Sequence, residues 1–496
     1  MAVNPKKLRP YDEPPKVRRP IVPNTPDTAA TTFLVASLIW FVTATGIGLL
    51  WVALQLFPDT LSLTLSMPTF KGVISFAINP ATTTSGFWNS LVYGWLLNAG
   101  LGAVLFISPR LLGCRLVGEG IATSGAWLLN AGLAAGLVSL YVPQLALKGA
   151  LTEYPLPVDG VVLLGLLAVN YAFWRTLLAS GERLPYVSFW YFGVALLAVL
   201  GLYSLVSMLP FIGLFVKISD TAMALAVAFY GRALETLGVG GLLIGTLYYV
   251  IPRASGNPLY SWGLAMLGWL LWLGFATLAP LAGLVDRSVP FAITELGNVA
   301  TFLLVVPAFL VVANLLQTMT GRWTLALSAG TIPFALVAIA FLVATTLLEA
   351  IGSLGQVRAL VGSTEWSVGV RLFAYLGTAT LAFLALVDHA LPRLLRRDWG
   401  DTMLVQLSLW ASFAGAAVAG LALLAGGIAQ GSLVVSGAPP EQVTGTVFWF
   451  LVASGLGISL AALGALIVAL NAFLMYTNAR PADYSVMAEP AAAPAQ

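Results

Sequence analysis

The chain has 496 residues, of which 59% are apolar and only 9% are charged, and its mean hydropathy is +0.92. Soluble globular proteins carry about 25% charged residues, so this composition excludes that class and predicts an integral protein of the lipid bilayer. The formal net charge of +3 gives no indication of nucleic-acid binding.

Side chains that bind metals are scarce. The chain contains one cysteine, Cys114, and one histidine, His389. A single cysteine permits neither an internal disulfide nor a multi-cysteine metal site. A single histidine cannot supply the pair of imidazoles that many membrane haems require. For His389 we expect a solvated or locally hydrogen-bonded side chain rather than a metal ligand.

The two ends of the chain differ from the rest. Residues 1–29 are rich in proline and basic side chains and lack the apolar core of a signal peptide. Residues 479–496 form a tail rich in proline and alanine. We therefore expect a disordered basic arm, a single membrane domain over residues 30–478, and a disordered C-terminal tail.

Between these ends, twelve segments meet the requirement of about 20 apolar residues for a bilayer-spanning helix. The predicted fold class is therefore all-α, a polytopic bundle of twelve transmembrane helices. The predicted spans are 31–57, 87–111, 120–145, 156–180, 186–213, 220–251, 258–284, 291–318, 323–351, 366–391, 402–429 and 443–476.

The lysines and arginines predict the orientation of these spans. Sixteen of the 23 fall in the terminal segments and in the loops on the same side as the N terminus, and five fall on the opposite side. The remaining two, Arg232 and Arg371, lie inside predicted spans. Because cytoplasmic loops carry the excess of lysine and arginine, both termini are predicted to be cytoplasmic.

Twelve spans would also suit a transporter, but the local sequence is more specific. The stretch FYGRALETLGVGGLLIGTLYYVIPRASGNPLYSW, residues 229–262, resembles the sixth helix and following loop of the catalytic subunit of haem-copper oxidases. It is most similar to the branch of the cbb-type (C-class) cytochrome c oxidases and nitric oxide reductases. Residues 154–164, 186–197 and 365–395 resemble the fourth, fifth and tenth helices of that family. The resemblance implies the subunit I bundle of that family.

The resemblance also implies haem and copper sites, yet the corresponding positions carry other residues. Six family histidines that bind copper or haem are replaced, and Phe275 stands where the C class has a tyrosine joined covalently to a copper ligand. The six degenerate positions are Val92, Arg232, Leu281, Ala282, Val370 and Leu372. Valine, leucine, alanine and arginine offer no lone pair to a metal. We therefore expect no haem, no copper, no other metal site, and no oxygen reduction by the family's mechanism.

Four charged residues inside the predicted spans need an explanation, because a charge at the bilayer centre costs about 2.5–3.5 kcal/mol on insertion scales. Arg232 and Glu235 lie three residues apart and can pair on one helix face. Glu349 matches a glutamate that the family keeps near its active site, and Arg371 could pair with it or extend toward the membrane surface. The Arg232–Glu235 pair, together with bulky leucine and valine side chains, either fills space that metals occupy in the family or belongs to a proton or ion path. Glu349 either belongs to a surviving polar network or is a carboxylate near the outer membrane interface.

Three functions follow from these alternatives. The first is a cofactor-depleted, non-catalytic member of the resembled family that docks other membrane or cytochrome subunits of a respiratory electron-transfer complex. The second is a proton- or ion-conducting module that uses the relict channel. The third is a working terminal oxidase with unorthodox ligands, which needs several replacements at once. For each of these functions we expect the chain to lie in a prokaryotic plasma membrane, with the lipid bilayer as a partner.

Overall fold

The computed structural model of the chain describes residues 22–69, 72–145, 151, 153–213 and 215–478. Within these residues, twelve helices are long and apolar enough to cross a membrane, as the sequence predicted. We number them as spans 1 to 12. They are Thr28–Leu56, Pro80–Leu112, Glu119–Leu140, Leu156–Ser180, Val187–Ile212, Asp220–Ser255, Trp262–Gly283, Phe291–Thr318, Thr331–Ser353, Trp366–Leu395, Thr402–Val435 and Pro440–Thr477.

The starts of two spans differ most from their predicted positions. Span 2 begins at Pro80 rather than residue 87, because Asn79 caps the helix and exchanges side-chain hydrogen bonds with Thr82 in a capping box. The first turns of this span are started by the cap, with Pro80 at the first helical position, and are too polar for a hydropathy criterion. Span 9 begins at Thr331 rather than residue 323, because a short 3-10 helix, Trp323–Leu327, occupies the preceding loop.

Short elements outside the spans were not predicted. Two antiparallel strands, β1 (Leu63–Thr69) and β2 (Gly72–Ile78), form a hairpin between spans 1 and 2. Apolar and polar residues alternate along β1, which is the period of a strand with one apolar face. At the base of the hairpin the ring of Phe76 stacks on that of Tyr141 at 5.6 Å. Short helices cover Pro58–Leu61 and Gly355–Val361.

Both predicted terminal segments fall mainly outside the described residues. Residues 1–21 and 479–496 are not among those that the structure describes. Thr28 and Ala29, which the sequence assigned to the basic arm, belong to span 1 instead. The membrane domain therefore begins two residues earlier than predicted.

Spans 2, 6 and 10 form the centre of the bundle. Most residues in the most apolar stretch of each are buried, whereas at most half of the residues in that stretch are buried in the other nine described spans. Spans 11 and 12 pack along each other on one side, and a side chain at Gly457 would overlap the backbone of Ala419. The three central spans are therefore the ones whose side chains face the interior.

Each central span changes from α-helical to π-helical hydrogen bonding near its middle. Polar side chains accompany the wider turns: Asn98 donates to the carbonyl oxygens of Tyr93 and Gly94 at 3.1 and 2.9 Å. In span 10 the hydroxyl of Thr380 donates to the Tyr375 carbonyl at 2.7 Å. Such side chains satisfy backbone oxygens that the irregular turn leaves without an α-helical partner. The π-helical segments are Ser90–Leu97, Leu234–Val239 and Phe373–Ala379.

Candidate functional site

The centre of the bundle contains an ion cluster built around Arg232 of span 6. Its Nη1 donates to Oε1 of Glu349 at 3.1 Å, and its Nη2 donates to Oε2 of the same carboxylate at 2.8 Å. A second carboxylate, Glu235, lies with Oε2 at 3.5 Å from Nη1. The sequence spacing predicted the contact with Glu235, but the principal partner is Glu349 on span 9. Paired, parallel hydrogen bonds from a guanidinium to one carboxylate are among the strongest ion pairs.

Arg371 of span 10 acts electrostatically on the ion cluster but makes no ion pair with its carboxylates. Among the residues that the structure describes, no carboxylate lies within 4.0 Å of its guanidinium, so the suggested pairing with Glu349 is not formed. Its positive charge nevertheless acts on both Glu235 and Glu349. When all four groups are ionised, their charges cancel. Neutrality of the group as a whole lowers the penalty for placing it inside a membrane protein.

The ion cluster lies between two cavities. The larger has a volume of about 860 Å³ and extends from the cluster to the face opposite the N terminus, where Asp220 and Gly362 line it. Aromatic side chains of Trp88, Trp366 and Tyr375 form part of its wall. The bulky replacements suggested by the sequence therefore do not fill the centre of the bundle completely.

The second cavity is smaller, about 130 Å³, and is lined on several sides by threonines. The cluster residues Arg232, Glu235 and Glu349 line both cavities. The threonines come from spans 6, 8, 9 and 10 and are Thr236, Thr301, Thr345, Thr346 and Thr378. Hydroxyls can both donate and accept hydrogen bonds, so this wall is suited to ordered water.

Three of the degenerate positions lie at this site. Arg232 is its centre, and Ala282 and Val370 line the larger cavity. Leu281 precedes Ala282 in a 3-10 turn, Ala279–Gly283, that ends span 7. Span 8 packs so closely on that turn that a side chain at Gly297 would overlap the backbone of Leu281 and Ala282. Arg232, Ala282 and Val370, which are up to 138 residues apart in the chain, thus line one cavity in the structure.

The other degenerate positions lie apart from the cavities. Val92 and Leu372 are fully buried among apolar side chains and line neither cavity. Phe275 is half-buried and also lines neither of them. Val92 lies inside the π-helical segment of span 2, and Leu372 directly precedes that of span 10.

The side chains at these positions do not fit a haem or copper centre. A guanidinium repels a metal cation, and alkyl side chains have no donor atom. Among the described residues, no group of three or more His, Cys, Asp or Glu side chains is arranged to hold a metal ion. His389 is buried near the other end of span 10, edge-on to the rings of Phe106 and Tyr249. Of the two expected surroundings, burial excludes the solvated one and leaves the locally hydrogen-bonded one.

A second buried polar group was missed in the sequence. The hydroxyl of Tyr203 in span 5 donates to Oδ1 of Asp159 in span 4 at 2.6 Å, and both residues are almost fully buried. Next to them, the hydroxyls of Tyr93 and Tyr230 are hydrogen-bonded to each other. Tyr230 precedes Arg232 by two residues, so this group adjoins the ion cluster. In the sequence, the signal for this buried polar group was Asp159, an acidic residue inside a predicted span.

One carboxyl just outside span 10 has an altered acidity. Glu365 directly precedes Trp366, and its backbone N–H donates to Oε1 of Gln430 at 2.9 Å. Partial burial raises the pKa of the Glu365 carboxyl, because removal of water disfavours its charged form.

Comparison with known proteins gives a consistent family match. The family described as Cytochrome C and Quinol oxidase polypeptide I matches residues 28–459. The chain is 23% identical over 352 residues to the Cbb3-type cytochrome c oxidase subunit CcoN1 of Stutzerimonas stutzeri, a match that covers 68% of this chain and 73% of that protein.

Two shorter matches point the same way. The chain is 26% identical over 265 residues to a cytochrome c oxidase subunit 1 homolog of Agrobacterium tumefaciens (strain T37), which covers 51% of this chain and 48% of that protein. It is 27% identical over 244 residues to cytochrome c oxidase subunit 1 of Rhodobacter capsulatus, covering 46% and 44% of the two chains.

The fold also matches a solved structure. A cryo-EM structure of a heme-copper terminal oxidase dimer superimposes with a TM-score of 0.71, covering 91% of this chain and 84% of that chain. The identity between the two is 14%, so the comparison concerns the fold alone. It confirms the predicted subunit I-like bundle.

Proposed function

Because the chain belongs to the cytochrome c and quinol oxidase polypeptide I family, we propose that it is a membrane subunit of a respiratory electron-transfer complex that binds no haem or copper of its own. The observation that carries this proposal is the ion pair of Arg232 with Glu349. Arg232 stands where the resembled family has a copper-binding histidine, and its guanidinium is engaged by a carboxylate. The guanidinium offers no lone pair to a metal, and it holds the neighbouring Glu349 carboxylate in an ion pair.

The proposed role is to dock and complete an assembly rather than to reduce oxygen. Because the relatives are named as oxidase subunits, we expect this chain to bind other membrane or cytochrome subunits. The distribution of lysine and arginine supports cytoplasmic termini, and the bacterial relatives support a plasma-membrane location. In this role the chain is a pseudoenzyme: it keeps the family's architecture without its reaction centre.

The experiment is a cofactor and partner inventory of the chain purified from its native membrane in mild detergent. A pyridine-haemochrome spectrum and elemental analysis should give far less than one haem and one copper per chain. An oxidase of the same family, purified in parallel, controls for cofactor loss. Stoichiometric haem or copper would overturn the proposal and would favour a working oxidase with unorthodox ligands. Purification of the chain without any other subunit would overturn the docking role.

A second candidate is a proton- or ion-conducting module, and the position of the ion cluster between two cavities favours it. Glu235 and Glu349 line both cavities, and the threonine hydroxyls continue the polar lining on one side. A proton could pass between such groups through water. Protein in liposomes should then show a proton flux that falls in the Glu235→Gln and Glu349→Gln variants. The exposed Glu441, changed to Gln, is the matched control. Equal flux in all variants would exclude this role.

A further inference from the structure

A basic groove lies on the face where the described chain enters span 1. It has a volume of about 1330 Å³ and lies between spans 1, 2 and 10, with the turn that joins spans 2 and 3. Four arginines line it, together with two carboxylates. They are Arg110, Arg115, Arg393 and Arg396, with Asp27 and Glu119. We propose that this groove binds an anionic phospholipid, with its phosphate at the arginines and an acyl chain along span 1.

The hydrogen bonds of the two carboxylates leave the groove positively charged. Asp27 forms an ion pair with Arg110, whose Nη1 and Nη2 donate to the two oxygens of the Asp27 carboxylate at 2.9 and 3.0 Å. Glu119 accepts the backbone N–H of Ala29 at 2.9 Å and thereby caps the start of span 1. Arg110 thus neutralises Asp27, and Glu119, on which the charge of Arg115 acts, offsets one further arginine, so that two positive charges remain in the groove.

Two of those arginines are well placed for a phosphate. Arg115 donates from Nη2 to the backbone oxygen of Asn24 at 2.5 Å, which orients the guanidinium without neutralising it. Arg396 is exposed and makes no side-chain hydrogen bond or ion pair with any other described residue. Guanidinium groups bind phosphate oxygens through paired hydrogen bonds, and basic pockets between spans at a membrane surface suit anionic headgroups.

The apolar end of the groove distinguishes a lipid from a free phosphate ion. Residues of span 1 that line the groove are spaced three or four apart along one stripe: Thr28, Thr31, Thr32, Val35, Ala36 and Ile39. The stripe runs about 16 Å along the helix axis, from the arginines toward the hydrocarbon core. At its far end Val35 is 41% exposed and Ile39 is 65% exposed. Such a surface suits the acyl chain of a lipid whose headgroup is bound at the arginines.

Charge complementarity also argues against the chain's own N-terminal segment as the occupant. Residues 1–21 carry six lysines and arginines but only two acids, Asp12 and Glu13. A segment of the same sign as the groove would be repelled by it, whereas an anionic lipid would be attracted.

The only cysteine of the chain, Cys114, lines the groove and supplies a local reporter. The full chain, labelled at Cys114 with a small fluorophore, is titrated in detergent with phosphatidylglycerol carrying a brominated acyl chain. We expect saturable quenching that brominated phosphatidylcholine does not reproduce and that inorganic phosphate at matched concentration does not reverse. Equal quenching by both lipids, or reversal by phosphate alone, would overturn the proposal.

Variants test the arginines directly. The double change Arg115→Gln and Arg396→Gln should weaken the apparent affinity for phosphatidylglycerol by about 30-fold, given the usual contribution of two cations at a membrane surface. Arg322→Gln, which is exposed on the same face but does not line the groove, is the control and should leave the affinity unchanged. As a label-free measurement, phosphatidylglycerol should raise the thermal midpoint of the unlabelled chain more than phosphatidylcholine does. An unchanged affinity in the double variant would refute the site.

Discussion

Arg232 and Glu349 are joined by two hydrogen bonds, of 3.1 and 2.8 Å, although 117 residues separate them in the chain. The contact ties span 6 to span 9 at the centre of the membrane domain. Glu235, three residues from Arg232 and on the same helix, makes only a longer contact of 3.5 Å. The interaction of Arg232 with Glu349 should therefore contribute more to the free energy of unfolding than its interaction with Glu235.

A pair of double-mutant cycles measures that difference. Arg232→Met should lower the free energy of unfolding by roughly 3 kcal/mol, near the lower limit for a buried pair because the side chains keep some exposure to the cavities. The cycle with Glu349→Gln should give a coupling of about 1–3 kcal/mol, and the cycle with Glu235→Gln less than about 1 kcal/mol. Unfolding in mixed micelles, followed by helical circular dichroism, provides the measurement. Equal couplings would contradict the geometry.

The contrast between these carboxylates also shows what the sequence could and could not provide. Apolar run length was sufficient for all twelve spans, because lipid imposes that length on every helix. The contact of Arg232 with Glu235 follows from helical spacing alone. The contact with Glu349 depends on how spans 6 and 9 pack, and no local pattern encodes that. For the same reason Tyr203 and Asp159 were not connected, although each is visible as a polar residue in an apolar segment.

Removal of the Tyr203 hydroxyl should destabilise the protein through its partner. In Tyr203→Phe the buried carboxyl of Asp159 loses a 2.6 Å hydrogen bond, and we expect a loss of about 1–3 kcal/mol in unfolding free energy. Tyr171→Phe, at an exposed tyrosine of span 4, is the control and should change stability by less than about 0.5 kcal/mol. The same micelle unfolding assay applies. If the double variant Tyr203→Phe with Asp159→Val is no more stable than Tyr203→Phe, the unsatisfied carboxyl is not the cause.

Two glycines of span 12 offer a matched test of helix packing. A methyl group at Gly457 would overlap the backbone of Ala419 on span 11, whereas one at Gly445 would meet no atom within 4 Å. Gly457→Ala should therefore cost about 1–3 kcal/mol, as overpacking against a backbone that cannot move aside. Gly445→Ala should stabilise slightly, since alanine loses less conformational freedom on helix formation. Thermal midpoints in detergent compare the two, and the reverse order would refute this packing.

The reactivity of Cys114 should report its surroundings. Burial raises the pKa of this thiol above that of a free cysteine, about 8.5, and only the thiolate reacts with bimane reagents. In the folded chain the labelling rate should therefore be low at pH 7.5 and should reach half its maximum at a higher pH than in the SDS-unfolded chain. Stopped samples at a series of pH values give both curves. A folded midpoint equal to or below the unfolded one would contradict the burial.

The π-helical segments of spans 2, 6 and 10 have a consequence for how such a bundle can diversify. A π turn accommodates an additional residue without breaking the helix. Deleting one residue from Leu234–Val239 could convert the wide turn to α-helix and leave the two flanking halves of span 6 in register, so that only the side chains of this segment would change direction. The surface that meets lipid and neighbouring chains would be carried by the outer spans and stay the same. Insertions and deletions of a single residue at these three segments can therefore change the interior side chains locally while the outer surface of the bundle is kept.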